Sequence, residues 1–154
     1  MVTLWMRTVV LVALLAGSGG RESVLAGDQT VATTPAPGSS AAVANAMTRW
    51  STKRLFEVSY ISSPTPVPLL QVHSWTVTIA DAAGHAVNDA RITVLGGMPA
   101  HAHGLPTTPQ VQSLGGGRYL IEGLKFHMPG AWVVALRIKA GALIDSVTFD
   151  LQLD

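Results

Sequence analysis

From Leu55 onward, hydrophobic and polar positions alternate in short runs broken by glycine, proline, asparagine and aspartate. In "RLFEVSYIS", Phe56, Val58 and Tyr60 share one face, while Leu55, Glu57, Ser59 and Ile61 share the other. Successive side chains of a β-strand point to opposite faces, so this spacing predicts a strand with one buried side. "SPTPVP" follows, and its three prolines remove ladder donors, which predicts an extended edge connection. "LLQVHSWTVTIAD" and "DARITVLG" predict a second and a third strand, with the turn "DAAGHAV" between them. "QVQSL", "GRYLIEGL", "GAWVVALRIKAG" and "ALIDSVTFDLQL" predict four more, most of them separated by glycines. About seven short strands without an amphipathic helix predict an all-β protein, an immunoglobulin-like β-sandwich. The Cys–Trp–Cys signature of antibody domains is missing, so the prediction concerns architecture alone.

Trp75, Trp132, Tyr119 and Phe126 are the large candidates for the core. Trp75 shares its parity with Val77 and Ile79, and also with His73. If Trp75 points inward, His73 does too, or it sits at the buried end of that strand.

The first 53 residues have a different texture. "MVTLWMRTVVLVALLAGSGG" carries one early charge, Arg7, and then an apolar run from Thr8 to Gly17. That run is shorter than the roughly 20 residues a membrane span needs, and it fits the apolar part of a secretory signal. Val24 and Ala26 are small residues suited to a cut after Ala26. Residues 1–26 are therefore expected to be a signal peptide, or else an uncleaved membrane anchor. Residues 27–53, rich in Ala, Thr, Ser, Pro and Gly at their start, are expected to be a flexible linker, with at most a short helical turn in "NAMTRWSTKR". Residues 54–154 are expected to form the sandwich. Both readings of the leader place that domain in the periplasm or otherwise outside the cytoplasmic membrane.

Composition narrows the chemistry. The formal net charge is +1 and charged residues make up only 12%, so nothing suggests a nucleic-acid partner. The chain has no cysteine, which excludes disulfides, thiolate metal sites, a thiol nucleophile and a lipid-modified anchor. No G-x-S-x-G elbow, H-E-x-x-H helix or glycine-rich phosphate loop is present. Ser74 follows His73 directly, and neighbours on a strand face apart, so the two do not form a catalytic pair. Glu122 and Asp145 stand alone, without a partner carboxylate for acid–base work. The expectation is a protein that is not an enzyme.

One loop stands out against this background. "GGMPAHAHGLPTTP", residues 96–109, holds Met98, His101 and His103 between glycines and prolines. The whole chain has only five histidines and five methionines. Imidazole nitrogen and thioether sulfur suit copper, Cu(I) above all, where cysteine is absent. A spacing of two in an extended loop sends His101 and His103 the same way, and Pro99 and Pro106 stiffen the backbone that carries them. A second group lies in "KFHMPGAW", where His127 and Met128 are adjacent and so point apart. Each residue also has a plainer role. The loop histidines could bond to the backbone, Met98 and Met128 could fill core gaps, and His73 could be a buried, hydrogen-bonded imidazole. His127 is expected to be exposed, and His85, in its turn, to lie on the surface.

"VHSWTVTIADAAGHAV", "GGMPAHAHGLPTTPQV" and "GRYLIEGLKFHMPGAWVV" resemble the YtkA-like, FixH-related family of small exported bacterial domains. Its recurrent pattern is H-S-W, then G-G-M-P-x-H-x-H-G-L-P-T, then G-x-Y-x-x-E-G-x-x-F-x-M-P-G-x-W. The resemblance covers roughly residues 69–153. It implies an immunoglobulin-like sandwich with a non-enzymatic role outside the cytoplasm, in copper handling or in assembly of metal-containing membrane or periplasmic proteins. The motif matches fall on His73, Met98, His101, His103 and Met128, while the pattern leaves the position of His127 variable. These five are the expected metal ligands. Copper is expected as Cu(I) in preference to Cu(II), with zinc as the other candidate, since a histidine-only site would favour Cu(II) or zinc. The expected partner is a periplasmic or membrane protein, and the membrane itself only if the N-terminal segment is retained. The competing reading is a metal-free interaction module in which the histidine loop docks a partner.

Overall fold

The computed structural model describes residues 46–154. The signal or anchor expected over 1–26, and the linker up to residue 45, lie outside the described residues. Nine strands run in order: β1 Met47–Trp50, β2 Phe56–Ser63, β3 His73–Asp81, β4 Ala90–Met98, β5 His103–Gly104, β6 Gln110–Gly115, β7 Arg118–Leu124, β8 Gly130–Ala140 and β9 Leu143–Leu153. They form two antiparallel sheets, β1-β2-β3-β7-β6 and β5-β4-β8-β9. The all-β sandwich expected from the alternation is therefore present, and each of the seven expected strands appears in it.

Two strands are additional. β1 lies in the segment read as linker and pairs with β2, Met47 opposite Tyr60 and Trp50 opposite Glu57. All four of its residues are exposed, so it carries no period-two signal. The ordered domain therefore starts earlier than residue 54, and the helical turn considered for this segment is a strand followed by a turn. Ser51 is buried and its hydroxyl accepts a bond from the Phe56 N–H at 2.9 Å, which closes that turn. β5 has only two residues and lies inside the histidine loop. β3 begins at His73, four residues later than the expected strand, because 69–72 form part of the irregular connection after β2.

Alternate residues of both sheets meet in one core. Phe56, Val58 and Tyr60 face Trp75, Val77 and Ile79 within the first sheet's inner side, and Trp132, Val134, Leu136 and Ile138 come from β8. Tyr60 stacks on Trp75 at 3.8 Å between ring centres, and Phe149 of β9 meets both rings edge-on, at 4.8 and 6.2 Å. These contacts join the two layers. The connection between β3 and β4 is tied down by Tyr119, whose hydroxyl donates to the Val87 carbonyl at 2.6 Å and accepts from the Ala90 N–H at 2.9 Å. Among the described residues every buried core side chain lies between Phe56 and Leu153, so residues 46–154 carry their own core and any fragment that contains them holds a self-sufficient folding domain.

Candidate metal site at the β4–β5 hairpin

The register of the second sheet sets the position of the histidine loop. β4 pairs with β8 up to Gly97 opposite Val133. Past that point the chain turns back, and β5 pairs with β4, Gly97 opposite Gly104 and Met98 opposite His103. The His101 N–H bonds to the Met98 carbonyl at 3.0 Å, which makes the reversal a tight turn. Ala102 completes it at φ 53°, in the left-handed region that residues with a side chain rarely adopt. The strained position is thus flanked on both sides by histidine.

The tight turn keeps the two imidazoles together. The rings of His101 and His103 lie nearly parallel, 20° apart in plane, with centres 6.3 Å apart. Both residues are exposed. The third ring beside them is His127, whose centre is 5.8 Å from that of His103 at an interplanar angle of 77°. His127 also packs edge-on against Trp132 at 5.4 Å. Contrary to expectation it is half-buried, and its Nδ1 is shielded from solvent with no hydrogen-bond partner. Leaving such a group unpaired costs about 1–3 kcal/mol.

These separations bear on metal binding. An imidazole nitrogen binds zinc or copper at about 2.0–2.1 Å, which places two rings on one ion with centres about 5 Å apart in tetrahedral and about 6 Å in linear geometry. The His103–His127 and His101–His103 ring centres, 5.8 and 6.3 Å apart, fall in the upper part of that range. The imidazole donors and the orphaned His127 nitrogen are of a type that suits a borderline ion such as copper or zinc. As the side chains stand, no group of three His, Asp or Glu among the described residues forms a ready metal-binding cluster.

The five expected ligands do not gather in one place. His101 and His103 share the hairpin. Met98 lies beneath it, buried at 2% exposure, as one of the largest enclosed side chains of the core. A Cβ built on Gly130 would stand 3.1 Å from the Met98 methyl, so a glycine there leaves room for the thioether. Met128 is half-buried against the same core, and its carbonyl accepts the Trp132 indole N–H at 2.9 Å. His73 is buried, as the parity of Trp75 implied, but it stands apart. Its Nδ1 lies 3.2 Å from the Gln71 carbonyl and its ring packs on Phe126 at 5.3 Å. Phe126 packs on Trp132 at 5.1 Å, so two aromatic rings stand between His73 and His127 in this chain of contacts. His73 instead lines a separate depression of about 570 Å³ with Gln71, Ser74 and Glu122. Burial lowers its pKa below the ordinary histidine value, and the nearby carbonyls of Gln71 and Leu124 oppose that only in part.

His127, expected to be exposed and left variable by the family pattern, is brought beside the hairpin. Its closeness to the hairpin follows from one pairing, Gly97 with Val133, which lays the turn beyond Met98 over the segment before Trp132. Only the strand register carries that information.

An immunoglobulin-like sandwich with a histidine hairpin at one end defines a class of small all-β domain, and likeness to known proteins places it more closely. The chain matches the YtkA-like family over residues 57–137, more than half of its length, and it belongs to that family. Among solved structures it is similar to a DUF4426 family protein from Pseudomonas aeruginosa PAO1, with a TM-score of 0.52 at 12% identity, covering 71% of this chain and 95% of that one. That likeness concerns the fold. No curated protein matches the chain in sequence.

Proposed function

We propose that this protein is an exported, non-enzymatic copper-binding accessory protein that carries or delivers the metal to a periplasmic or membrane partner. His101, His103 and His127 are the primary ligands in this reading. Met98, beneath the hairpin, is a thioether reserve that turns outward only if the hairpin opens, and Met128 stands in the same role. His73 is left out of the ion's immediate shell. The observation that carries the reading is the run of three imidazoles, 6.3 and 5.8 Å apart, ending in a buried nitrogen without a partner. A thioether turned in from Met98 or Met128 would favour Cu(I), and three histidines without one would shift the preference toward Cu(II) or zinc. The leader-like N-terminus supports placement outside the cytoplasmic membrane.

One observation favours the metal-free interaction module as a second reading. Beside the hairpin lies an open, mostly apolar depression of about 310 Å³, lined by Leu95, Met98, Pro99, Ala102, His103 and Val133, and Leu95 is 59% exposed. A partner could seat there without any metal.

Titration of the Ala36–Asp154 unit with Cu(I), against a chromophoric chelator, separates the two. Tight one-to-one binding is expected, weakened at least 100-fold in His101→Ala/His103→Ala. A folded wild type that takes up no copper would sink the carrier reading and leave the interaction module.

A further inference from the structure

The chain has ten basic and nine acidic residues, yet its cations are not spread evenly. On the outer face of the four-stranded sheet, Arg91 of β4 stands directly opposite Lys139 of β8. Arg137, two residues before Lys139, stands opposite Thr93 on the same face. All three are exposed, because their neighbours Ile92, Leu136 and Ile138 take the inward positions. With Thr93 and Ile144 they line a depression of about 270 Å³. A fourth cation, Lys53, reaches the rim, its Nζ 3.3 Å from the Ile144 carbonyl.

Like charges directly opposite each other on neighbouring strands repel, and sheets ordinarily avoid them. Nothing among the described residues relieves the repulsion, since no ion pair involves Lys53, Arg91, Arg137 or Lys139. The nearby carboxylates are turned away or engaged elsewhere. Asp145 follows Ile144 but is 3% exposed and points inward, where it accepts the N–H groups of Lys53 and Ser146. Asp150 is paired with Arg49. Asp89, just before β4, is exposed and in no ion pair among the described residues. At the tip of the β8–β9 hairpin, beside the cations, Leu143 and Ile144 are 48% and 37% exposed.

Cations beside exposed aliphatic side chains form the pattern of a surface that rests on a membrane interface. Guanidinium groups bind phosphate oxygens in a fork, and two arginines with two lysines supply donors for more than one headgroup. We infer that the Arg91/Arg137/Lys139 face, with Lys53 and the Leu143–Ile144 tip, docks on an anionic phospholipid surface. The hairpin histidines belong to the opposite end of the β4–β8 pairing, so the cations are not part of the histidine site.

Sedimentation of the Ala36–Asp154 unit with vesicles tests this without the apolar leader. Binding is expected to vesicles of equal parts phosphatidylcholine and phosphatidylglycerol, and not to phosphatidylcholine alone. Each cation near such a surface is worth about fivefold in partition, so Arg137→Gln/Lys139→Gln should bind roughly 30-fold more weakly with an unchanged melting temperature. Leu143→Ser/Ile144→Ser should weaken binding while its preference for anionic lipid persists. Equal binding to both vesicle types, or full binding by Arg137→Gln/Lys139→Gln, would overturn the inference. Capture by immobilised polyglutamate with no vesicle binding would overturn it too, in favour of an acidic protein partner.

Discussion

Gly97→Ala isolates the hairpin from the rest of the fold. A Cβ built at Gly97 falls 2.7 Å from the backbone oxygen of His103, where an ordinary contact begins at 3.4 Å. Both atoms belong to backbone-anchored positions, so β5 must move away from β4 by about 0.7 Å. β5 is held by two residue pairs and by the Leu105 N–H bond to the Gly96 carbonyl at 3.1 Å. Weakening that short ladder costs about 1–2 kcal/mol locally, while the core and the β4–β8 pairing stay intact. Amide exchange at Leu105 should therefore accelerate roughly 5–30-fold, since 1.4 kcal/mol is a factor of ten. The ring signals of His101 and His103 should shift, and those of His85 should not. Gly96→Ala is the control. The three atoms nearest its Cβ belong to the Leu105 side chain, 2.8 Å at the closest, and a side chain can rotate aside, so the His103 ring should stay in place. If Gly97→Ala left Leu105 exchange and the His103 ring unchanged, the reasoning that Gly97 lets β5 close onto β4 would be refuted.

Two further outcomes rest on single side chains. Tyr119→Phe removes a hydroxyl that serves both the Val87 carbonyl and the Ala90 N–H; the expected loss is about 2 kcal/mol, or roughly 8–16 °C in Tm, and an unchanged melting curve would show that water replaces it. His73 binds a proton less readily folded than unfolded, so its contribution is complete above the ordinary histidine range and is lost as pH falls below it; denaturant midpoints followed from neutral to mildly acid pH should drop, and His73→Gln should flatten that part of the slope.

Much of the sandwich was legible because antiparallel sheets with one buried face write a period of two into the chain. Phe56, Val58 and Tyr60 announced β2, and the parity of Trp75 gave the burial of His73. β1 was not legible, because an edge strand with four exposed residues has no buried face to record. β5 was hidden by its length of two. The candidate site was legible in part. The spacing of His101 and His103 is local, and the turn at Ala102 keeps their rings together. The distance of His73 from the hairpin, and the approach of His127 to it, depend on strand register and sheet order, which local alternation does not encode. Met98 illustrates the remaining ambiguity: a thioether next to a histidine motif serves equally as ligand or as core filling, and here it fills the core.

The most direct test of the central claim is to follow all five histidine side chains by nitrogen NMR while Cu(I) is added to the Ala36–Asp154 unit. The account expects the rings of His101, His103 and His127 to shift together and to saturate at one equivalent, with His73 and His85 unmoved. Shifts confined to His73, or no shift in any of the three hairpin-end rings, would contradict it.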